Sequence, residues 1–120
     1  MPADPTSLEL TDPEDLKLVT LARATRARTR GLEGAAVRDL DGRTYAAATV
    51  DLPSLDLTAV QVAVAMAVTS GAQGLEAVVV LGDSASVNEA DLSAVRDLGG
   101  EGVPLHLAAP DGTVVAAVRS

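Results

Sequence analysis

The sequence predicts an α/β protein: a three-layer α/β/α sandwich built on a mixed sheet of five strands. Three observations lead there. Thr58–Gly71 is an apolar stretch whose only polar side chain between Ala59 and Val68 is Gln61, so it belongs in a core. Leu75–Leu81 (L-E-A-V-V-V-L) is an apolar run ended by Gly82-Asp83, the pattern of a strand covered on both faces. Asp41-Gly42 and Asp111-Gly112 each sit between short apolar runs, the signature of a hairpin toward each end of the chain.

Taken in order, residues 1–11 contain Pro, Asp, Thr and Ser and read as a flexible tail, with one domain over residues 12–120. A helix is predicted to start near Asp12-Pro13: Thr11 or Asp12 can cap, Pro is tolerated in the first turn, and Glu14 and Asp15 complement the macrodipole. Leu18, Leu21 and Ala22 give it an apolar stripe. Lys17, Arg23, Arg26, Arg28 and Arg30 put five of the nine basic residues on this stretch. They read as dipole complements on a solvated face, with an anion or acidic-partner patch as the alternative. Glu33–Leu40 and Arg43–Val50 pair around Asp41-Gly42, and Asp51–Leu57 is expected to be a loop containing Pro53.

The alternation of Val60, Val62 and Val64 would also suit a strand, but length and ends favour a helix, with Thr58 as cap and Gly71 as the left-handed residue that closes it. Such a helix is expected to be surrounded by protein. Asn88–Leu98 is a short amphipathic helix with Leu92, Val95 and Leu98 on one face, Ser86 or Asn88 as its cap and Gly99-Gly100 after it. Val103–Ala108 and Thr113–Val118 are the last two strands.

Composition removes several function classes. The 120 residues carry no Cys and a single His, His106, which excludes disulfides, thiolate zinc sites, Cys nucleophiles and a two-His metal site within one chain. A net charge of −8, with Tyr45 the only aromatic, argues against nucleic acid, since phosphates need clustered cations and single strands need stacking platforms. The apolar run of the central helix is too short for a bilayer, which takes roughly 20 residues. The start of the chain lacks a basic segment followed by an apolar run, so no signal peptide and a cytoplasmic location are expected.

Several local words together resemble the cytidine deaminase family. Gly34-Ala35-Ala36-Val37, the Asp41-Gly42 turn and Thr44-Tyr45 are similar to its V-G-A-A-L…D-G…I-Y hairpin, and Pro104–Ala108 with Asp111-Gly112-Thr113-Val114 to its closing hairpin. The resemblance runs from about Leu16 to Val118 and implies that fold. It also implies a zinc ion that acidifies a bound water, and a Glu that moves protons between water and pyrimidine.

Placed residue by residue, the first metal ligand becomes Thr58, the catalytic Glu becomes Val60, and the P-C-x-x-C pair falls on Leu92 and Val95. A hydroxyl and aliphatic side chains do not ligate zinc, and valine carries no proton. The expectation is therefore no zinc, no catalytic residue and a dry, packed pocket floor. Thr49 and Asp51 fall where the family holds the ribose, a partial match that keeps a nucleoside-like small molecule as a candidate ligand. The aromatic that would cover the base, near Gly31, is missing. His106 with Asp51, Asp83 or Asp91 is the one alternative donor set for a weak metal site.

Gly82-Asp83-Ser84 resembles the G-D-S word of a hydrolase family, but the D-x-x-H word supplying its base is absent, because Val103-Pro104-Leu105 precede His106. The stretch then reads as a strand ending in a turn, with Ser84 or Ser86 as a helix cap. The resemblance implies a homodimer or homotetramer. The expected function is a non-catalytic, homo-oligomeric binding or assembly module, the alternative a nucleoside deaminase-type hydrolase with a non-standard active site.

Overall fold

Asp12 begins the first helix as its sequence predicts: its carboxylate accepts the Glu14 N–H at 2.9 Å, with Pro13 in the first turn. The computed structural model describes residues 10–83 and 85–120; most of the predicted tail, and Ser84, lie outside the described residues. Helix α1 runs Pro13–Thr29 and ends at Arg30, at φ 55° the one non-glycine residue with positive φ among those described. Arg26 and Arg28 fall in its last turn.

After it come β1 (Glu33–Asp39) and β2 (Thr44–Ala48), then β3 (Val50–Leu52) and β4 (Leu55–Leu57), and helix α2 (Ala59–Thr69). The chain continues through β5 (Leu75–Gly82), α3 (Glu89–Gly99), β6 (Pro104–Ala108) and β7 (Val114–Arg119). Five strands form one mixed sheet in the order β2-β1-β5-β6-β7, with only β5 and β6 parallel. A parallel neighbour requires a crossover, and α3 supplies it.

Period-two alternation sorts the strands between two layers. Ala35 and Val37 of β1 join Val78 and Val80 of β5 and Leu105 of β6 under α2 and α3. Ala36, with Ala77, Val79 and Leu81, faces Leu18 and Ala22 of α1 on the other side. From Ala77 onward both faces of β5 are therefore dry, and the three-layer α/β/α sandwich follows. Each fully buried Val or Leu contributes about 1.5–3 kcal/mol.

Two expectations need correction. Residues 51–57 are not an irregular loop: β3 and β4 pair antiparallel, with Val50 opposite Leu57 and Leu52 opposite Leu55. Pro53, read as a strand breaker, lies with Ser54 in the turn, where no ladder N–H is needed. Helix α2 is not covered all round either. Ala59, Val60, Ala63, Val64 and Ala67 are buried, but Met66 is 39% and Val68 53% exposed. The sheet covers one side of a helix of period 3.6 and α3 flanks another, which leaves an apolar stripe facing outward.

Polar groups fix the layers. Arg38 on β1 points to the α1 side, donating from Nε to Glu76 at 2.8 Å and pairing with Asp15 of α1 at 3.0 Å. Burial alone would lower its pKa, but these two carboxylates raise it above the ordinary value. At the β1–β2 turn, buried Asp39 accepts from the Tyr45 hydroxyl at 2.9 Å and from the Asp41 and Arg43 N–H groups. Gly34 is required by the close approach of α1, because a Cβ there would collide with the Ala22 carbonyl.

Gly34→Ala should therefore destabilise the protein by about 1–3 kcal/mol through overpacking, read as a lower midpoint in chemical denaturation. An unchanged midpoint would contradict the packing described. Burial pushes the Asp39 carboxyl up, yet the Tyr45, Arg43 and Asp41 hydrogen bonds outweigh it and hold the pKa below the ordinary 3.8. A depressed folded pKa gives stability that is present above the unfolded value and is lost as pH falls through the folded one. Stability of the wild type should thus decline more steeply below about pH 4 than that of Asp39→Asn; parallel acid limbs would contradict this.

Candidate functional site

The heads of α2 and α3 meet on one carboxylate. Thr58 caps α2 in a reciprocal box: its hydroxyl oxygen accepts the Gln61 N–H at 3.0 Å, and Gln61 Oε1 accepts the Thr58 N–H at 2.9 Å. The Thr58 hydroxyl proton goes elsewhere, donated to Asp91 Oδ1 at 2.6 Å. Asp91 lies in the first turn of α3, where Asn88 Oδ1 accepts its N–H at 2.8 Å. It is 1% exposed, and its second oxygen, Oδ2, has no hydrogen-bond partner among the described residues. Burial pushes its pKa up, against the lowering effect of its bonds with Thr58 and Asn88.

Above this pair opens a cavity of about 360 Å³ lined by Leu32, Glu33, Thr49, Asp56, Leu57, Thr58, Asp83 and Ser86. Glu33, at the head of β1, accepts the Ser86 N–H at 3.3 Å. Burial raises its pKa, the Ser86 bond lowers it, and the charge of Asp91 raises it further. Asp83 is paired with Arg26 of α1 at 3.1 Å. The site is thus rich in carboxylates and hydroxyls that accept hydrogen bonds, with one cation at its rim. A larger cavity, about 650 Å³, lies on the α1 face between Leu16 and the β6–β7 turn; among the described residues Asp111 is the only charged group lining it.

The residues singled out from sequence are only partly brought together. Thr58 and Thr49 line the cavity. The Thr49 hydroxyl accepts the Glu33 N–H at 3.1 Å, while its own N–H donates to the Glu33 carbonyl. Asp51, on exposed β3, lines a neighbouring hollow of about 260 Å³ with Thr29, Arg30 and Thr49 instead. Val60 and Val95 are fully buried in the core, and Leu92 packs against it. The floor predicted to be wholly apolar therefore contains a buried carboxylate.

His106 pairs with Val79 and Ala117 on the α1 side of the sheet, the face opposite Thr58 and Asp91. The sheet separates it from Asp91, so the His106 set imagined from sequence does not assemble around the helix heads. Burial lowers its pKa, with Asp15 raising and Arg119 lowering it.

A zinc ion, as the family resemblance implies, finds no fitting donor set at the helix heads. What the two helices offer is one hydroxyl and one carboxylate already bonded to each other, beside aliphatic Val60, Leu92 and Val95; zinc takes thiolates, imidazoles and carboxylates in tetrahedral array. Among the described residues no group of three or more His, Cys, Asp or Glu is placed to hold a metal.

Sequence reasoning had no role for Glu33 and Asp56, and took Asp91 only as a partner for His106. Glu33 carries a faint signal, an acid opening a buried strand. Asp91, three residues after a capping Asn, reads as an ordinary macrodipole complement, and nothing local reveals a partner 33 residues away.

A family model described as cytidine deaminase-like matches residues 11–112. The solved cytidine deaminase from Burkholderia pseudomallei superposes with a TM-score of 0.76 at 22% identity, over 85% of this chain and 89% of that one. The cytidine deaminase from Mycobacterium leprae gives 0.71 at 21% identity, over 91% and 94%. A mutant cytidine deaminase from Mycobacterium tuberculosis gives 0.69 at 23%, over 78% and 82%. No curated protein matches the sequence significantly. At these identities the structures establish a shared fold, and the family match spans most of the sequence: the chain belongs to the cytidine deaminase-like family.

Proposed function

We propose that this chain is a non-catalytic member of the family, a homo-oligomeric binding or assembly module that keeps a pocket for a nucleoside-like ligand. The observation that carries the reading is the state of the α2 head. Thr58 spends its hydroxyl proton on Asp91, and Val60, at the position where the resemblance puts the proton-carrying Glu, is sealed in the core. Neither a metal-activated water nor a proton shuttle has the side chains it needs there.

The cavity of about 360 Å³ falls in the size range of small-molecule sites. Its hydroxyls and carboxylates suit the hydroxyl and amino donors of a nucleoside, and its acidity disfavours a phosphate. The second reading, a deaminase-type hydrolase with a non-standard active site, is favoured by one observation. Glu33 lines that cavity, and burial raises its pKa, so it holds a proton more readily than an ordinary Glu.

Homo-oligomerisation is supported by the exposed apolar residues of α2: Val68 lines a groove with Val64, Ala94, Asp97 and Leu98, and Met66 is exposed on another side of the helix. Exposed Val115 and Val118 lie on the edge strand β7. Such surfaces mark contacts when they are contiguous.

Protein purified from zinc-supplemented medium should contain far less than one zinc per chain and release no ammonia from cytidine, and some nucleosides should raise its Tm. Stoichiometric zinc or turnover would establish the enzyme reading, while a panel without any shift would remove the ligand. Light scattering at micromolar concentration should give a dimer or tetramer, and Met66→Glu with Val68→Glu should shift it toward monomer. A wild-type monomer would overturn the assembly role.

A further inference from the structure

We infer that the Thr58–Asp91 hydrogen bond takes over the structural task of the metal, tying the head of α2 to that of α3, so that this fold holds without zinc. It rests on the non-catalytic reading only in taking the helix heads to be metal-free.

In the arrangement the resemblance implies, ligands from both helices converge on a cation, and the cation joins the helices. Here the same two helix heads are joined by 2.6 Å of hydroxyl-to-carboxylate contact. The bond is embedded in a continuous chain. Asn88 receives the Asp91 N–H, Asp91 receives the Thr58 hydroxyl, Thr58 receives the Gln61 N–H, and Gln61 receives the Thr58 N–H. Both caps and the bridge between them therefore depend on one another, as linked polar groups in a low-dielectric site do.

Charge supports the exchange. Each helix N-terminus carries about half a positive unit. Several thiolates at two such ends require a cation among them; a single carboxylate does not. A buried carboxylate with an unpartnered oxygen is otherwise unfavourable, and the convergent helix ends are what compensates it.

The first turn of α3 also contains its own control. Glu89 provides the macrodipole complement from the exposed side, while Asp91, two residues on, is turned inward to Thr58. An acid serving only the dipole has no need of burial. Because Thr58 also lines the cavity of about 360 Å³, the tie fixes one wall of that cavity as well.

The test is a double-mutant cycle on the full chain, Thr58→Val against Asp91→Ala, followed by urea denaturation with and without EDTA. Each single change should lower the unfolding midpoint, and the double variant should be little worse than the poorer single one. The coupling should reach about tenfold in the unfolding constant, equivalent to about 1.4 kcal/mol. The wild-type midpoint should not move with EDTA.

Coupling below about threefold would overturn the tie and leave the non-catalytic reading untouched. A midpoint lowered by EDTA would overturn both, since a metal would then be holding the heads together. Should Asp91→Ala fail to fold, Asp91→Leu keeps the volume without the acceptor and completes the same cycle.

Discussion

From Ala77 to Gly82 strand β5 has no solvent-facing side, and most of the architecture answers to that. Val78 and Val80 point to one layer, Ala77, Val79 and Leu81 to the other, so a helix must lie on each face of the sheet or several large side chains meet water. β1 and β6 flank it, and through them the hairpins at the two ends of the chain complete the sheet at β2 and β7. The layer built by α2 and α3 then has a defined edge. At that edge the N-termini of both helices arrive together, beside the head of β1. The cavity with Glu33, Thr49 and Thr58 lies in that corner because the sheet topology brings those ends to one place, in keeping with the tendency of α/β folds to place sites at strand ends and helix heads.

The sequence was most legible where one local rule acts alone. Capping and turn chemistry marks Asp12-Pro13, the Asp-Gly turns and Asn88 with Ser86 as its alternative, and the structure makes Asp12 and Asn88 the caps. The runs that became β1, β2, β5, β6 and β7 were visible because burial on one or two faces imposes its period. Legibility failed where two rules competed. V-D-L-P-S-L-D-L alternates as a hairpin should, but the proline counted against a strand until its place in the turn was known. The α2 stretch is apolar on all sides, which says that each side meets apolar surroundings without saying whether these come from the same chain.

The candidate site was legible by half. Thr58 was found through resemblance, and its hydroxyl does line the cavity. Asp91 is legible only as a companion of His106, because helix-start acids are common and their usual explanation is complete without a partner on another helix. Its burial and its bond to Thr58 arise from how α3 docks against α2, a tertiary fact with no local signature. Thr49 and Asp51 show a related limit: two positions apart, they lie after β2 and in β3, and share one hollow, while of the two only Thr49 reaches the cavity at the helix heads. His106 shows the converse. As the only imidazole it attracted a metal role, yet the pleat turns it to the α1 face, where Asp15 and Arg119 are its charged neighbours.

On the non-catalytic reading, the same division explains how such a fold persists without metal chemistry. The metal-ligand positions that the resemblance implies, Thr58, Leu92 and Val95, stand at the N-cap of α2 and within the first two turns of α3, toward the helix heads. The core itself needs only alternation and volume. Exchanging a polar group for valine at positions such as 60 and 95 carries a side chain into an interior that already surrounds it, and burial there contributes about 1.5–3 kcal/mol each. What the exchange removes is the cross-link between α2 and α3, which burial cannot replace because it has no direction. A hydroxyl donating to a carboxylate does have one. On the non-catalytic reading, Val60 and Val95 supply the volume, and Thr58 with Asp91 supplies the geometry. A backbone superposing at a TM-score of 0.76 with only 22% identity is what this separation of packing from site chemistry leads one to expect.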